Sequence, residues 1–134
     1  MSELESAKDF FSKDLYATEA TGIVIEEVGK NYAKCSLKIE RKHMNAVGHV
    51  MGGVMFTLAD FVFAISTNRD GQFTVTTSST INYLSSPKGS ILYGQSKLLK
   101  DGKTTCFYQI DITDDVGTHV AVINTTGNHV FPKK

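Results

Sequence analysis

Between Ser2 and Asp14 the apolar residues Leu4, Ala7, Phe10 or Phe11, and then Leu15 recur at helical spacing, with acids early in the first turn, which predicts a short packing helix. From Thr21 to Glu40 the pattern alternates. Ile23, Ile25 and Val28, then Tyr32, Cys35, Leu37 and Ile39, flank Gly29-Lys30-Asn31 and predict a two-stranded hairpin. Residues 52–68 are the one long helical candidate, because Val54 to Thr67 holds no glycine or proline and few polar residues. Asn68-Arg69-Asp70-Gly71 then reads as a helix stop. Four strand-like segments follow, Phe73 to Leu84, Ile91 to Leu99, Thr104 to Thr113 and His119 to Phe131, with turns at Asp101-Gly102 and Asp115-Val116-Gly117.

One long helix and about half a dozen strands joined by short hairpins imply an α+β domain with an antiparallel sheet. The helix carries Val54, Met55, Phe56, Leu58, Phe61, Val62, Phe63 and Ile65 around every face, so it should be covered on nearly all sides. A curved sheet wrapped around it covers most of that surface, and a second copy of the chain covers the rest. At about fourteen residues interrupted by Asp60, it is too short for a membrane span.

Composition narrows the function classes. With 134 residues, 41% apolar and 21% charged, the chain suits one domain over residues 1–134. Fourteen basic and fourteen acidic side chains cancel, and no basic run exceeds Lys133-Lys134, so neither nucleic acid nor a membrane surface is expected as a partner. Cys35 and Cys106, far apart in strand-like segments, read as buried thiols in a reducing compartment. The opening stretch MSELESAKDFFSKDL has no apolar core of a signal peptide, and a cytoplasmic location is the default expectation.

The chemistry concentrates in NAVGHVMGGVMFTLAD, residues 45–60. Gly52-Gly53 ahead of a helix exposes backbone N–H groups at the positive end of the helix dipole, where an oxyanion can sit. Asp60, an acid within the most apolar run, is a candidate base for activating water. Eight residues of helix separate Gly52 from Asp60, which is about 12 Å along the axis. One chain therefore cannot bring both to a single carbonyl, and cooperation between them requires the glycine end of one subunit to face the aspartate of another. Thr74, Thr76, Ser78, Thr80 and Asn82 alternate and are expected on one strand face. His43, His119 and His129 have no metal-ligand spacing, and no metal is expected.

These residues resemble the acyl-CoA thioesterases of the hotdog superfamily, in particular the phenylacetyl-CoA or PaaI-like branch, and the resemblance covers essentially the whole chain. The family segment runs Asn, two residues, Gly, two residues, His-Gly-Gly, and an Asp eight positions after the first glycine of the pair. Asn45, Gly48, Gly52, Gly53 and Asp60 match it in register, and Thr80-Ile81-Asn82-Tyr83-Leu84 with Ser85-Ser86-Pro87-Lys88-Gly89 is similar to the strand and turn after the helix. The resemblance implies a hotdog fold, an antiparallel sheet of five or six strands around one long central helix. It implies an active site across a homodimer interface, the dimers pairing into a homotetramer.

The family's roles transfer residue by residue: the Gly52 N–H polarises the thioester carbonyl, Asn45 positions the thioester or the water, and the partner's Asp60 acts as general base or nucleophile. The family's Ser or Thr seven residues before the strand tyrosine is Thr76, which orients the water or Asp60. Gly53, Met51, His49 and Lys88 are the substrate-binding candidates, with Lys97, Lys100 and Lys103 as further partners for CoA phosphates. The chain departs from the pattern at Met51, which stands where the family has histidine; His49 is the nearest imidazole. No cofactor is expected, coenzyme A entering only with substrate and product. The expected function is hydrolysis of an acyl- or aryl-CoA thioester. The alternatives are a non-catalytic acyl-CoA-binding regulatory protein, which would not need the acid, and a hotdog dehydratase or hydratase, which pairs a histidine with an acid.

Overall fold

The computed structural model describes residues 1–130, so Phe131 at the expected end of the last strand and the Lys133-Lys134 pair lie outside the described residues. The expected helix over residues 2–14 is present and shorter, ending at Phe11. Helix α1 runs Glu3–Phe11, where the Ser2 hydroxyl accepts a hydrogen bond from the Glu5 N–H at 3.1 Å and Glu3 and Glu5 occupy the first turn. A π-helical turn, Tyr16–Thr21, follows and ends at Gly22 with φ +86°. Such turns have no period of their own to read in a sequence. Leu15, expected on the packing face of α1, falls between the two segments and is exposed.

Strands β1 (Ile23–Gly29), β2 (Tyr32–Lys38), β3 (Phe73–Tyr83), β4 (Ile91–Asp101), β5 (Thr105–Asp114) and β6 (His119–Val130) form one antiparallel sheet in the order β1-β2-β4-β5-β6-β3. Helix α2 (Gly52–Thr67) contacts all six strands. Two glycines allow that close wrap. A Cβ at Gly94 in β4 would meet Val62 at 3.0 Å and Leu58 at 3.1 Å, and one at Gly127 in β6 would meet the Phe63 ring at 2.7 Å. Leu58, Val62, Phe63 and Ile65 on the helix and Leu37, Leu92, Ile110, Ile112 and Ile123 on the sheet are buried in the resulting core, with Cys35 and Cys106 as free buried thiols. Burial pushes the Cys35 thiol up to about 12, which keeps it protonated and unreactive.

The helix is not covered on every side. Gly53, Thr57, Asp60 and Ala64, spaced at four, three and four residues, form a stripe left open or half-open along α2. Asp60 lies on that stripe and is exposed in the single chain. The acid in the apolar helix is therefore an outward residue, since the apolar run reflects three buried faces and the fourth holds the charge.

Strand β3 also corrects the sequence reading. Thr76 pairs with Gly127 but Ser78 pairs with Thr126, so Thr77 is an extra residue, a β-bulge. Thr74 and Thr76 lie opposite His129 and Gly127 on the helix-facing side of the sheet. Past the bulge the parity inverts, and Ser79, Ile81 and Tyr83, opposite Thr125, Ile123 and Ala121, take that side. Ser78, Thr80 and Asn82 are thus on the other face from Thr74 and Thr76.

The crossover from β3 to β4 passes the β5–β6 turn and is bound to it by two carboxylates. Asp114, buried, accepts the Lys88 and Gly89 N–H groups at 2.8 and 2.9 Å on one oxygen and those of Val116 and Thr118 on the other. Asp115 accepts the Ser90 and Ile91 N–H groups at 2.9 and 3.1 Å. Burial alone would raise the Asp114 carboxyl, but the N–H donors outweigh it and hold it well below the usual aspartate range. Asp115 is lowered by its bonds from Ile91 and Ser90.

Candidate active site

The start of α2 is presented by a tightly tied loop. His43 is buried, its Nδ1 accepting the Glu40 N–H at 2.9 Å and its Nε2 donating to the Thr21 carbonyl at 2.8 Å, which fastens the loop to the π-helical turn. The Asn45 side-chain oxygen accepts the Val47 and His49 N–H groups at 3.1 and 3.0 Å, and Gly48 completes the turn with φ +85°. Met44 and Val50 close the loop as an antiparallel bridge, and the Met51 N–H donates to the His43 carbonyl. Asn45 thus spends its oxygen on the loop and keeps only its NH2 for a ligand.

Met51 is the N-cap of α2 and has no side-chain acceptor to offer. The Val54 N–H finds the Met51 carbonyl, but among the described residues the N–H groups of Gly52 and Gly53 have no partner. These are the orphan donors of a helix start, with the dipole behind them. The two glycines open on different clefts. Gly52 lines one of about 460 Å3 with Val50, Met55, Tyr83, Leu84 and Pro87. Gly53 and Met51 line another of about 340 Å3 with Tyr16, Lys42 and Thr57.

Asp60 lines a third cleft, of about 280 Å3, with Asp14, Tyr16, Thr57, Phe61 and Ala64; it shares Tyr16 and Thr57 with the cleft at Gly53. The cleft walls remove water from Asp60, and the Asp14 carboxylate adds a like charge, so its carboxyl is raised above the ordinary aspartate value. Thr76 is on the helix-facing side of β3 but is not among the residues lining the Asp60 cleft, so a single chain does not bring these two together.

The remaining candidates are peripheral in the single chain. His49 is exposed on the loop and lines none of the three clefts, and Lys88, Lys97, Lys100 and Lys103 are exposed outside them. Lys42 is the lysine that borders one of these clefts, a position that no local pattern marked. Asp14, Tyr16 and Tyr83 also entered the site only through tertiary structure.

Residues 47–121, more than half of the chain, match the model of the thioesterase superfamily. A putative esterase of Archaeoglobus fulgidus is 27% identical over 124 residues, 92% of this chain and 80% of that one. The acyl-coenzyme A thioesterase PaaI of Escherichia coli is 26% identical over 127 residues, 94% and 90% of the two chains, and its solved structure superposes with a TM-score of 0.83 over 98% and 99%. A Streptococcus mutans protein solved with bound acetyl CoA has a TM-score of 0.76 at 26% identity, over 84% of this chain and 91% of that one. Antiparallel strands around a central helix, the glycine pair at its start and the match across residues 47–121 have one common meaning: the chain belongs to the thioesterase superfamily and has the hotdog fold.

Proposed function

We propose that this chain hydrolyses acyl- or aryl-CoA thioesters at two equivalent sites of a homodimer, each built from the Gly52 end of one subunit and Asp60 of the other. The observation that carries the reading is the open stripe of α2, which begins at unpartnered N–H groups and holds the only charged residue of that helix. Support for the substrate class comes from the PaaI relative and from the S. mutans neighbour that holds acetyl CoA. The dimer is supported by the helix geometry, about 12 Å from Gly52 to Asp60. It is also supported by β3, an edge strand with Phe73 and Val75 each 52% exposed.

In this reaction the Asp60 carboxylate takes a proton from water, and the hydroxide attacks the thioester carbon. Negative charge moves to the carbonyl oxygen, where the Gly52 N–H receives it. The C–S bond then breaks, the thiolate takes the proton back from Asp60, and a carboxylic acid and free CoA leave. Thr76 orients the water, the Asn45 NH2 holds the thioester, and Met51 and Gly53 line the acyl path. A thiolate leaves readily, so a methionine at position 51 is compatible with turnover.

Turnover by Asp60→Asn and Asp60→Ala across aryl, short-chain and long-chain acyl-CoA tests the reading. Loss of a positioned base lowers kcat by about 10²- to 10⁴-fold. Undiminished hydrolysis by either variant would sink it. Tight acyl-CoA binding by a wild-type protein without turnover would favour the regulatory alternative.

A further inference from the structure

Tyr83 ends β3 directly over the first residue of α2. A Cβ added to Gly52 would lie 2.7 Å from the Tyr83 hydroxyl oxygen and 2.9 Å from the ring carbon that bears it, so the phenol occupies the space that any other residue at position 52 would need. The placement is fixed from behind. Tyr83 pairs with Ala121 on β6, and the Leu84 and Ser85 N–H groups both donate to the Val120 carbonyl, at 2.8 and 3.2 Å.

The bulge at Thr77 is what aims this side chain. Thr76 and Tyr83 are seven residues apart, an odd separation that puts them on opposite faces of a regular strand. The extra residue inverts the parity, and both face α2. A bulge is a common device for re-aiming a side chain beside an active site.

The Tyr83 hydroxyl is free to bond a ligand. It has no hydrogen-bond partner among the described residues, whereas the Tyr32 hydroxyl accepts from Gln95 at 3.0 Å. Tyr83 is 51% exposed and lines the cleft of about 460 Å3 onto which Gly52 opens. A phenol O–H and a backbone N–H, neither with a protein partner among the described residues, thus border one cavity at the positive end of one helix.

We propose that the Tyr83 hydroxyl donates a second hydrogen bond to the thioester carbonyl oxygen, beside the Gly52 N–H. The inference rests on the hydrolytic reading above. Both donors strengthen their bonds as charge develops on that oxygen, so the contribution falls in kcat rather than in KM.

Tyr83→Phe keeps the ring over Gly52 and removes only the donor. With the full-length protein and the acyl-CoA that the wild type turns over best, kcat is expected to fall about a hundredfold with KM nearly constant and the melting temperature unchanged. Gly52→Ala keeps the N–H and displaces the phenol. It should lose kcat to a similar degree, and Tyr83→Phe added to it should cost little more. A fall in kcat of less than about tenfold in Tyr83→Phe, a change confined to KM, or fully additive losses in the double variant overturns the proposal. An inactive wild type would overturn the hydrolytic reading and this one together, whereas an active wild type with an equally active Tyr83→Phe overturns this one alone.

Discussion

Asp14, in the turn after α1, and Asp60, on the open stripe of α2, line one cleft of about 280 Å3. Loss of water is the larger cause of the raised Asp60 carboxyl and the Asp14 charge the smaller. In the proposed reaction the ionised form is the base, so hydrolysis should fall as pH drops through this raised value. Asp14→Asn removes the repulsion and lets Asp60 ionise more easily. The acid limb of its kcat/KM profile should move to lower pH by a fraction of a pH unit, and a limb that stays in place or moves upward contradicts the pairing.

The same raised carboxyl has a stability consequence. A group whose folded pKa lies above its unfolded value is held in the fold at a disadvantage once it is ionised, so at neutral pH Asp60 works against stability. Asp60→Asn should therefore melt at a higher temperature than the wild type at pH 7 while losing hydrolysis. The gap should close as pH falls from the raised folded value toward the unfolded aspartate value. A lower melting temperature at neutral pH would show that the site is not under this tension.

Asp114 has the opposite sign. Its folded pKa lies below the ordinary 3.8, so its contribution is fully present at neutral pH and is lost as pH falls from that value toward the folded one. Asp114→Asn should lower the melting temperature at pH 7 and loosen the crossover at Lys88-Gly89. The deficit against the wild type should shrink in acid, and thermal melts from neutral to strongly acidic pH check both statements.

Gly127→Ala tests how closely the sheet wraps α2. The new methyl would stand 2.7 Å from the Phe63 ring and 2.8 Å from the Thr74 methyl, in a layer where both neighbours are buried. Overpacking of this kind costs about 1–3 kcal/mol in urea unfolding. A neutral effect would mean that the wrap yields at this point.

Much of this fold was legible because its elements carry strong local periods. The alternation about Gly29-Lys30-Asn31 became β1 and β2, and the breaker-free run from Val54 became α2. What stayed hidden depended on partners distant in sequence. The bulge at Thr77 is a matter of register with β6, so alternation alone put Thr74 and Asn82 on one face. The helix around Asp60 read as covered on nearly all sides because hydropathy reports composition and not which stripe the π-helical turn leaves open. Gly52-Gly53 and Asp60 were visible as chemistry from spacing alone, while Tyr83 beside Gly52 and Asp14 beside Asp60 exist only once the sheet has closed around the helix.

The central claim is that one site takes its oxyanion donor and its base from two subunits. Asp60→Asn and Gly52→Pro are each expected to be inactive; at this first helical position the backbone accepts a proline, which removes the N–H and displaces the Tyr83 phenol. The two are unfolded and refolded together in equal amounts, and turnover is measured. Half of the dimers are then mixed and each mixed dimer holds one complete site, so activity should return to about a quarter of the wild-type value. Mixed dimers that form and fold but remain as inactive as either parent would contradict the shared site.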